Sequence, residues 1–189
     1  GYIAGMFDNK NANKLGVWTY DPDLSKQAVS GSVQKEGKLR LSWQAAAKHK
    51  IGITWSEQTD NPCPSDVTAI QTAEAGTCRP QPVIRVAQSE WTSPLSNRLL
   101  LEAGFAFSRV QSNQLPPPGH NPAMIGMVEQ STGLRIGAFE QYRRQAVNSY
   151  NTRASVSYIT GAHAVKVGVT TRNGNVDYYA FDTQPLSYR

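Results

Sequence analysis

Residues 37–46 place Leu39, Leu41, Trp43 and Ala45 at every second position, with Lys38, Arg40, Ser42 and Gln44 between them. A period of two is the mark of an extended strand, whose successive side chains leave opposite faces. After the short segment Ala46–His49 the pattern returns: Ile51, Ile53 and Trp55 alternate with Lys50, Gly52, Thr54 and Ser56. The two runs read as one hairpin with an apolar face and a polar face, and any fold containing it must cover the apolar side.

Further strands follow. Residues 82–92 are weakly patterned, with Ile84 and Val86 opposite Arg85, and end in a turn read over Trp91–Arg98. Leu99, Leu101, Ala103, Phe105 and Phe107 then face one way along a long return strand. Tyr150, Thr152, Ala154, Val156 and Tyr158 form another face, and after a tight turn at Gly161-Ala162 so do Val165, Val167 and Val169. Asn173-Gly174 is a strong hairpin signal, which predicts a last strand through Val176, Tyr178 and Ala180. Tyr2–Phe7 and Val17–Tyr20 read as an N-terminal strand pair around Asn9–Lys14.

The connections carry as much information as the strands. Short turns near 47–49, 93–98 and 161–162 alternate with long segments at 59–81 and 111–147, the second opening on Pro116-Pro117-Pro118-Gly119. An up-and-down antiparallel sheet puts alternate connections at opposite ends. Short turns at one end and long loops at the other is the pattern of outer-membrane barrels. The runs 37–46, 98–108 and 149–160 also reach the roughly 9–11 residues of a membrane strand, where soluble strands run about 5–6. Trp43, Trp55, Trp91, Tyr150 and Tyr158 are candidates for aromatic girdles at the membrane interfaces. The expected fold is all-β, an antiparallel up-and-down meander of about eight strands forming a barrel or a piece of one, with residues 1–189 a single region.

Composition agrees. No stretch approaches the ~20 apolar residues of a membrane helix, and the mean hydropathy is −0.46, as expected when polar residues alternate with apolar ones. The net charge of +5 is spread along the chain without a basic arm, so no nucleic-acid partner is expected. Cys63 and Cys78 lie in a polar loop. Their spacing is wrong for a CxxC metal site, and a disulfide closing the loop is the better reading, which implies an oxidising compartment.

Candidate chemistry is sparse. His49, His120 and His163 lack paired ligand spacing, and the strand layout puts His120 at the end opposite the other two. There is no nucleophile elbow. Glu57, Asp60 and Asp66 lack the spacing of a calcium loop. The balance is against an enzyme, and no cofactor or metal is expected. His120, Tyr142, Arg143 and Arg144 remain as loop residues that could meet a ligand.

The text of Trp91–Gly104 and Arg153–Gly168 resembles large bacterial outer-membrane receptors, the TonB-dependent-receptor-like barrels that often carry a carboxypeptidase-regulatory-like domain. Gly37–Lys50, Pro122–Ile125 and Glu129–Leu134 also fit, so the resemblance covers most of 37–168 and fades after Gly168. It implies a roughly twenty-two-stranded barrel, a plug domain and an inner-membrane energy source. About eight strands fall short of that, so the chain is expected to be a fragment whose partners are a lipid bilayer, the rest of the barrel and its plug, and a small-molecule or oligosaccharide ligand. On this reading Leu39, Leu41, Trp43, Leu101, Phe105, Val156 and Val167 face lipid, while Lys38, Arg40 and Arg153 face a lumen. The alternatives are a soluble β-barrel or sandwich that binds a ligand or carbohydrate, with the same apolar residues as its core, and a metal-dependent enzyme on that scaffold.

Overall fold

A computed structural model describes residues 11, 13–14, 16–25 and 29–182, and the backbone of 187–188. Six long strands form one antiparallel sheet: β1 (Gln34–Ala46), β2 (His49–Asp60), β3 (Gln81–Ser96), β4 (Leu99–Gln114), β7 (Tyr142–Thr160) and β8 (His163–Phe181). They pair in chain order, β1-β2-β3-β4-β7-β8. The meander is therefore up-and-down, and it is open: β1 and β8 are both edges, and the sheet does not close into a barrel. Three short strands, β5 (Gly126–Val128), β6 (Arg135–Ile136) and β9 (Ser187–Tyr188), form a small second sheet at the long-loop end.

Two-residue turns join the hairpins at Ala47-Lys48, Asn97-Arg98 and Gly161-Ala162. Gly161 has φ +46°, a left-handed backbone that glycine adopts without a Cβ penalty. The other two connections are long, 61–80 and 115–141, so short and long links do sit at opposite ends of the sheet.

Several boundaries differ from the sequence reading. Val17–Tyr20 is not a strand; a single bridge, Asn13 to Pro22, is its nearest ladder. Tyr2–Phe7 lies outside the described residues. Asn173-Gly174 is no turn: both residues sit inside β8, opposite Tyr150 and Ser149 of β7. The local turn preference is overridden by a continuous ladder of nineteen pairs between β7 and β8. Gly174 serves a close approach instead, because a Cβ there would stand 2.6 Å from the Asn148 carbonyl oxygen. The turn read over Trp91–Arg98 shrinks to two residues, with Pro94 still in β3 beside a register shift, a place where a missing N–H is tolerated. Tyr142, Arg143 and Arg144 open β7 rather than lying in a loop.

Directly paired residues share a face, so the register defines both sides of the sheet. One face runs in five successive rows. These hold Leu39, Trp55, Ala87, Phe107, Tyr150 and Asn173; then Leu41, Ile53, Ser89, Phe105, Thr152 and Thr171. Next come Trp43, Ile51, Trp91, Ala103, Ala154 and Val169; then Ser93, Leu101, Val156 and Val167; then Ser96, Leu99, Tyr158 and Val165. All seven residues expected to share an apolar face do so. The band ends sharply at the row Gly37, Glu57, Arg85, Arg109, Asn148 and Asn175. From Leu99 to Phe107 it spans about 27 Å along the strand at ~3.4 Å per residue.

Among the described residues no other strand packs over this face, and within it only the small Ser93 is fully buried. Trp43 is 63% exposed, Leu41 55%, Val167 68% and Phe105 44%. The buried apolar residues lie elsewhere: Val67, Ala75, Cys78, Leu134, Ile136, Ala138 and Tyr142 all belong to the long loops or the first residue of β7. Among the described residues the packed core is the loop end, and the sheet has no apolar core of its own.

The hairpins are also staggered. In the common register, the closing pairs at Ala46–His49, Ser96–Leu99 and Thr160–His163 step along by two residues per hairpin. At ~3.4 Å per residue and ~4.8 Å per strand, that stagger corresponds to strands tilted by about 35°.

Candidate functional site

The opposite face of the sheet is polar. Its central row reads Ser42, Gly52, Glu90, Gly104, Arg153 and Thr170. Glycine and charge alternate here for a steric reason. A Cβ on Gly52 would meet Glu90 Oε1 at 2.7 Å, and one on Gly104 would meet Arg153 Nε at 2.9 Å. Each glycine lets the long side chain of the next strand lie flat across the sheet, a use of strand glycine for close approach. Arg40 reaches Glu90 at 3.6 Å. In the next row Glu102 receives Lys166 Nζ at 2.6 Å and the Ser155 hydroxyl at 3.3 Å.

Arg40, Gly52, Glu90, Gly104, Arg153 and Thr170 line an open trough of about 390 Å³ with Thr54, Gln88 and Asn151 on its walls. Arg40 and Arg153, expected on the polar face, both line it. Lys38 shares the face two rows from Arg153. Glu90, Glu102 and Lys166 were not singled out from sequence. The available signal was isolated glycines inside two well-patterned strands.

At the boundary of the apolar face, Arg85 grips Glu57 with two hydrogen bonds, Nη2–Oε1 2.8 Å and Nε–Oε2 3.2 Å. Its guanidinium also lies 5.0 Å from the Trp55 ring. One side chain thus joins the last apolar row to the first charged one.

The second candidate region is the loop layer. Cys63 and Cys78 form a disulfide across a sequence separation of 15. Behind it, Ser65 and Thr77 exchange backbone hydrogen bonds, and Arg79 pairs with Asp66 at 2.9 Å. The cross-linked loop is then stitched to the other long loop. Cys78 and Leu115 exchange backbone bonds of 2.8 Å each, the Thr72 N–H donates to the Arg135 carbonyl, and the Arg135 N–H donates to that of Ile70. The loops are therefore one platform rather than two free arms.

The four loop candidates separate within this platform. Tyr142 is fully buried, ringed by His120, Phe139 and Phe181 at centroid distances of 5.7, 6.2 and 5.9 Å. It anchors the 115–141 loop to β7 and β8. Arg143 and Arg144 are exposed on β7, and being adjacent they point to opposite faces. His120 packs edge-on against Tyr142. Its two ring nitrogens are buried with no hydrogen-bond partner among the described residues.

Burial pushes the His120 imidazole below the ordinary histidine range. A base whose folded value is depressed leaves stability intact above its unfolded pKa and erodes it below. The loop layer should keep full stability above about pH 6.5 and loosen as the pH falls through that value. Amide exchange at Tyr142 and Leu134, compared between pH 7.5 and 5.5, should show faster opening at the lower pH. His120→Phe should flatten that difference. An unchanged difference in the variant would assign the effect to another group.

His49 lies at the short-turn end, where the Trp91 indole donates to its Nδ1 at 3.3 Å. His163 begins β8 at the same end. The structure does not bring the three histidines together, and among the described residues no group of three His, Cys, Asp or Glu is placed to hold a metal. No family model, curated protein or solved structure matches the chain.

Proposed function

We propose that this sheet is a section of the wall of a bacterial outer-membrane barrel of the TonB-dependent-receptor type. The observation that carries the reading is the uncovered apolar face, five rows deep on strands of 12–19 residues, ending abruptly in a charged row. An exposed apolar surface of this extent needs lipid or another protein against it. Its dimension suits lipid: tilted by about 35–45°, the ~27 Å band stands roughly 20 Å tall, against the ~25 Å of barrel proteins. The hairpin stagger gives a tilt at the lower end of the same range.

The aromatic residues fit this placement. Trp55 and Tyr150 lie in the last apolar row before the charges and Tyr158 in the row nearest the short turns, while Trp43 and Trp91 lie in the middle row. The polar face then lines a water-filled lumen, with Arg40, Glu90, Glu102, Arg153 and Lys166 as its charges. The cross-linked loop platform lies outside the cell, where it receives a small molecule or an oligosaccharide. Since β1 runs opposite to β8, further strands added at either edge continue the antiparallel order. Those edges are where the remainder of the barrel joins, and the lumen is where its plug sits.

The test is tryptophan fluorescence in phosphatidylcholine vesicles carrying bromine at defined acyl depths. Trp43, Trp55 and Trp91 should be quenched by the lipid bromines and shielded from iodide in the buffer. A chain that stays monomeric without detergent, with those tryptophans protected from iodide, would mean that the face is a soluble core.

A further inference from the structure

The trough on the polar face carries an uneven set of charges. Arg40, Glu90 and Arg153 line it, and Arg153 also borders a neighbouring hollow of about 340 Å³ with Glu102 and Lys166. Both carboxylates already have a cation: Arg40 lies 3.6 Å from Glu90, and Lys166 lies 2.6 Å from Glu102. Arg153 has no counterpart. It is exposed, and its side chain makes no hydrogen bond or ion pair with a described residue.

Glycine fixes where this spare cation lies. A Cβ on Gly104 would stand 2.9 Å from Arg153 Nε and 3.3 Å from its Cγ, so the side chain is laid over the β4 backbone, on the floor of the trough. Glu90 is laid over Gly52 on β2, its Oε1 2.7 Å from the corresponding point. Both side chains lean the same way, one strand toward β1. The carboxylate and the spare guanidinium are thereby carried two strand spacings apart, on the order of 10 Å. An anion resting on Arg153 stands clear of Glu90.

The other walls are neutral and polar. Thr54, Gln88 and Thr170 line the trough, and their side chains make no hydrogen bond to a described residue. Asn151 Nδ2 donates to Ser149 Oγ at 3.3 Å, which leaves the Asn151 side-chain oxygen open to a donor. The trough's volume falls within the roughly 300–1,000 Å³ of small-molecule sites.

We infer that the trough binds a hydroxylated organic anion of the sugar-acid class, its carboxylate on the Arg153 guanidinium and its hydroxyls on Thr54, Gln88, Asn151 and Thr170. The planar guanidinium fork matches a carboxylate with two parallel hydrogen bonds. A neutral sugar would leave that fork unanswered, and a cationic one would meet it. An anion without hydroxyls would leave the walls unused. The inference goes beyond the barrel reading, because the polar face stays open whether lipid or protein meets the apolar one.

The test uses glucuronate against glucose, glucosamine and acetate. Each is titrated into the full chain in neutral micelles while the methyl signals of Ala106 and Thr170 are followed by NMR. The salt is held at about 0.15 M, where charges more than ~8 Å apart are largely screened. Glucuronate should shift both signals saturably and bind at least tenfold more tightly than the other three. Arg153→Gln should abolish its preference over glucose while leaving the sheet's circular dichroism unchanged. Arg172→Gln is the control, since Arg172 lies one row away on the same face and does not line the trough; it should leave the preference intact. Glucuronate binding no more tightly than any one of the other probes, a preference unaltered in Arg153→Gln, an equal loss in Arg172→Gln, or no saturable shift would each overturn the inference. None of these results bears on the tryptophan quenching, so the trough and the membrane reading fail separately.

Discussion

Ala154→Arg should cost about 2–4 kcal/mol of folding stability in vesicles, the range for a cation near the midplane on the lipid side of a barrel. Ser155→Arg, one residue along the same strand, should cost less than about 0.5 kcal/mol, as for an ordinary surface change. The two positions differ in what surrounds them. Ala154 is exposed in the middle of the apolar band, between Ala103 and Val169. Ser155 points to the polar face, within reach of Glu102, which would meet the new guanidinium. Depth supplies a third arm. Ala87 lies in the last apolar row, one row from Arg85, so Ala87→Arg should cost only about 0–1 kcal/mol, as near an interface. Denaturant titration of the three variants in the same vesicles gives the comparison. Equal costs at Ala154 and Ala87 would remove the depth dependence and with it the membrane placement. Equal costs at Ala154 and Ser155 would remove the two-faced sheet.

Loss of the disulfide is the second large effect. Cross-linking a loop of this length contributes about 3 kcal/mol on the chain-entropy estimate, and the loop it closes holds much of the chain's packed core. Reduction, or Cys63→Ser with Cys78→Ser, should therefore loosen the loop platform far more than the sheet. Hydrogen exchange can separate them. The amides of Thr72, Leu115 and Arg135, which bind one loop to the other, should exchange at least tenfold faster, while the β4–β7 ladder stays protected. Unchanged protection at those three amides would mean that the bridges between loops hold without the cross-link. Reduction of the unmutated chain guards against an effect of the serine at position 78, which is almost buried.

The order of strands was legible because each strand carries its own alternation. Leu39 to Trp43, Leu99 to Phe107 and Val165 to Val169 announce their faces within a few residues, and the turns between them are short enough to read locally. The disulfide was legible for a similar reason, two cysteines close together in one polar loop. Asn173-Gly174 misled because a dipeptide reports only its own turn preference. What decided against a turn there was β7, a strand more than twenty residues earlier that offered β8 a partner along its whole length. Tyr142 misled in the same way. Beside two arginines in a long polar segment it reads as exposed, yet His120, Phe139 and Phe181 enclose it from three different places in the chain.

The candidate sites show this limit more strongly than the fold does. Arg40 and Arg153 were identified as polar-face charges from the alternation alone. That Gly52 lies under Glu90, and Gly104 under Arg153, depends on the register between strands, which no single strand contains. The loop platform is more distant still, since it needs the disulfide loop and the 115–141 loop to meet. The sequence by itself determined which side chains share a face, because backbone geometry sets that within one strand. The tertiary structure decided which faces stay bare, which rows align and which loops close on one another. Those depend on neighbours brought together from far along the chain, and nothing local encodes them.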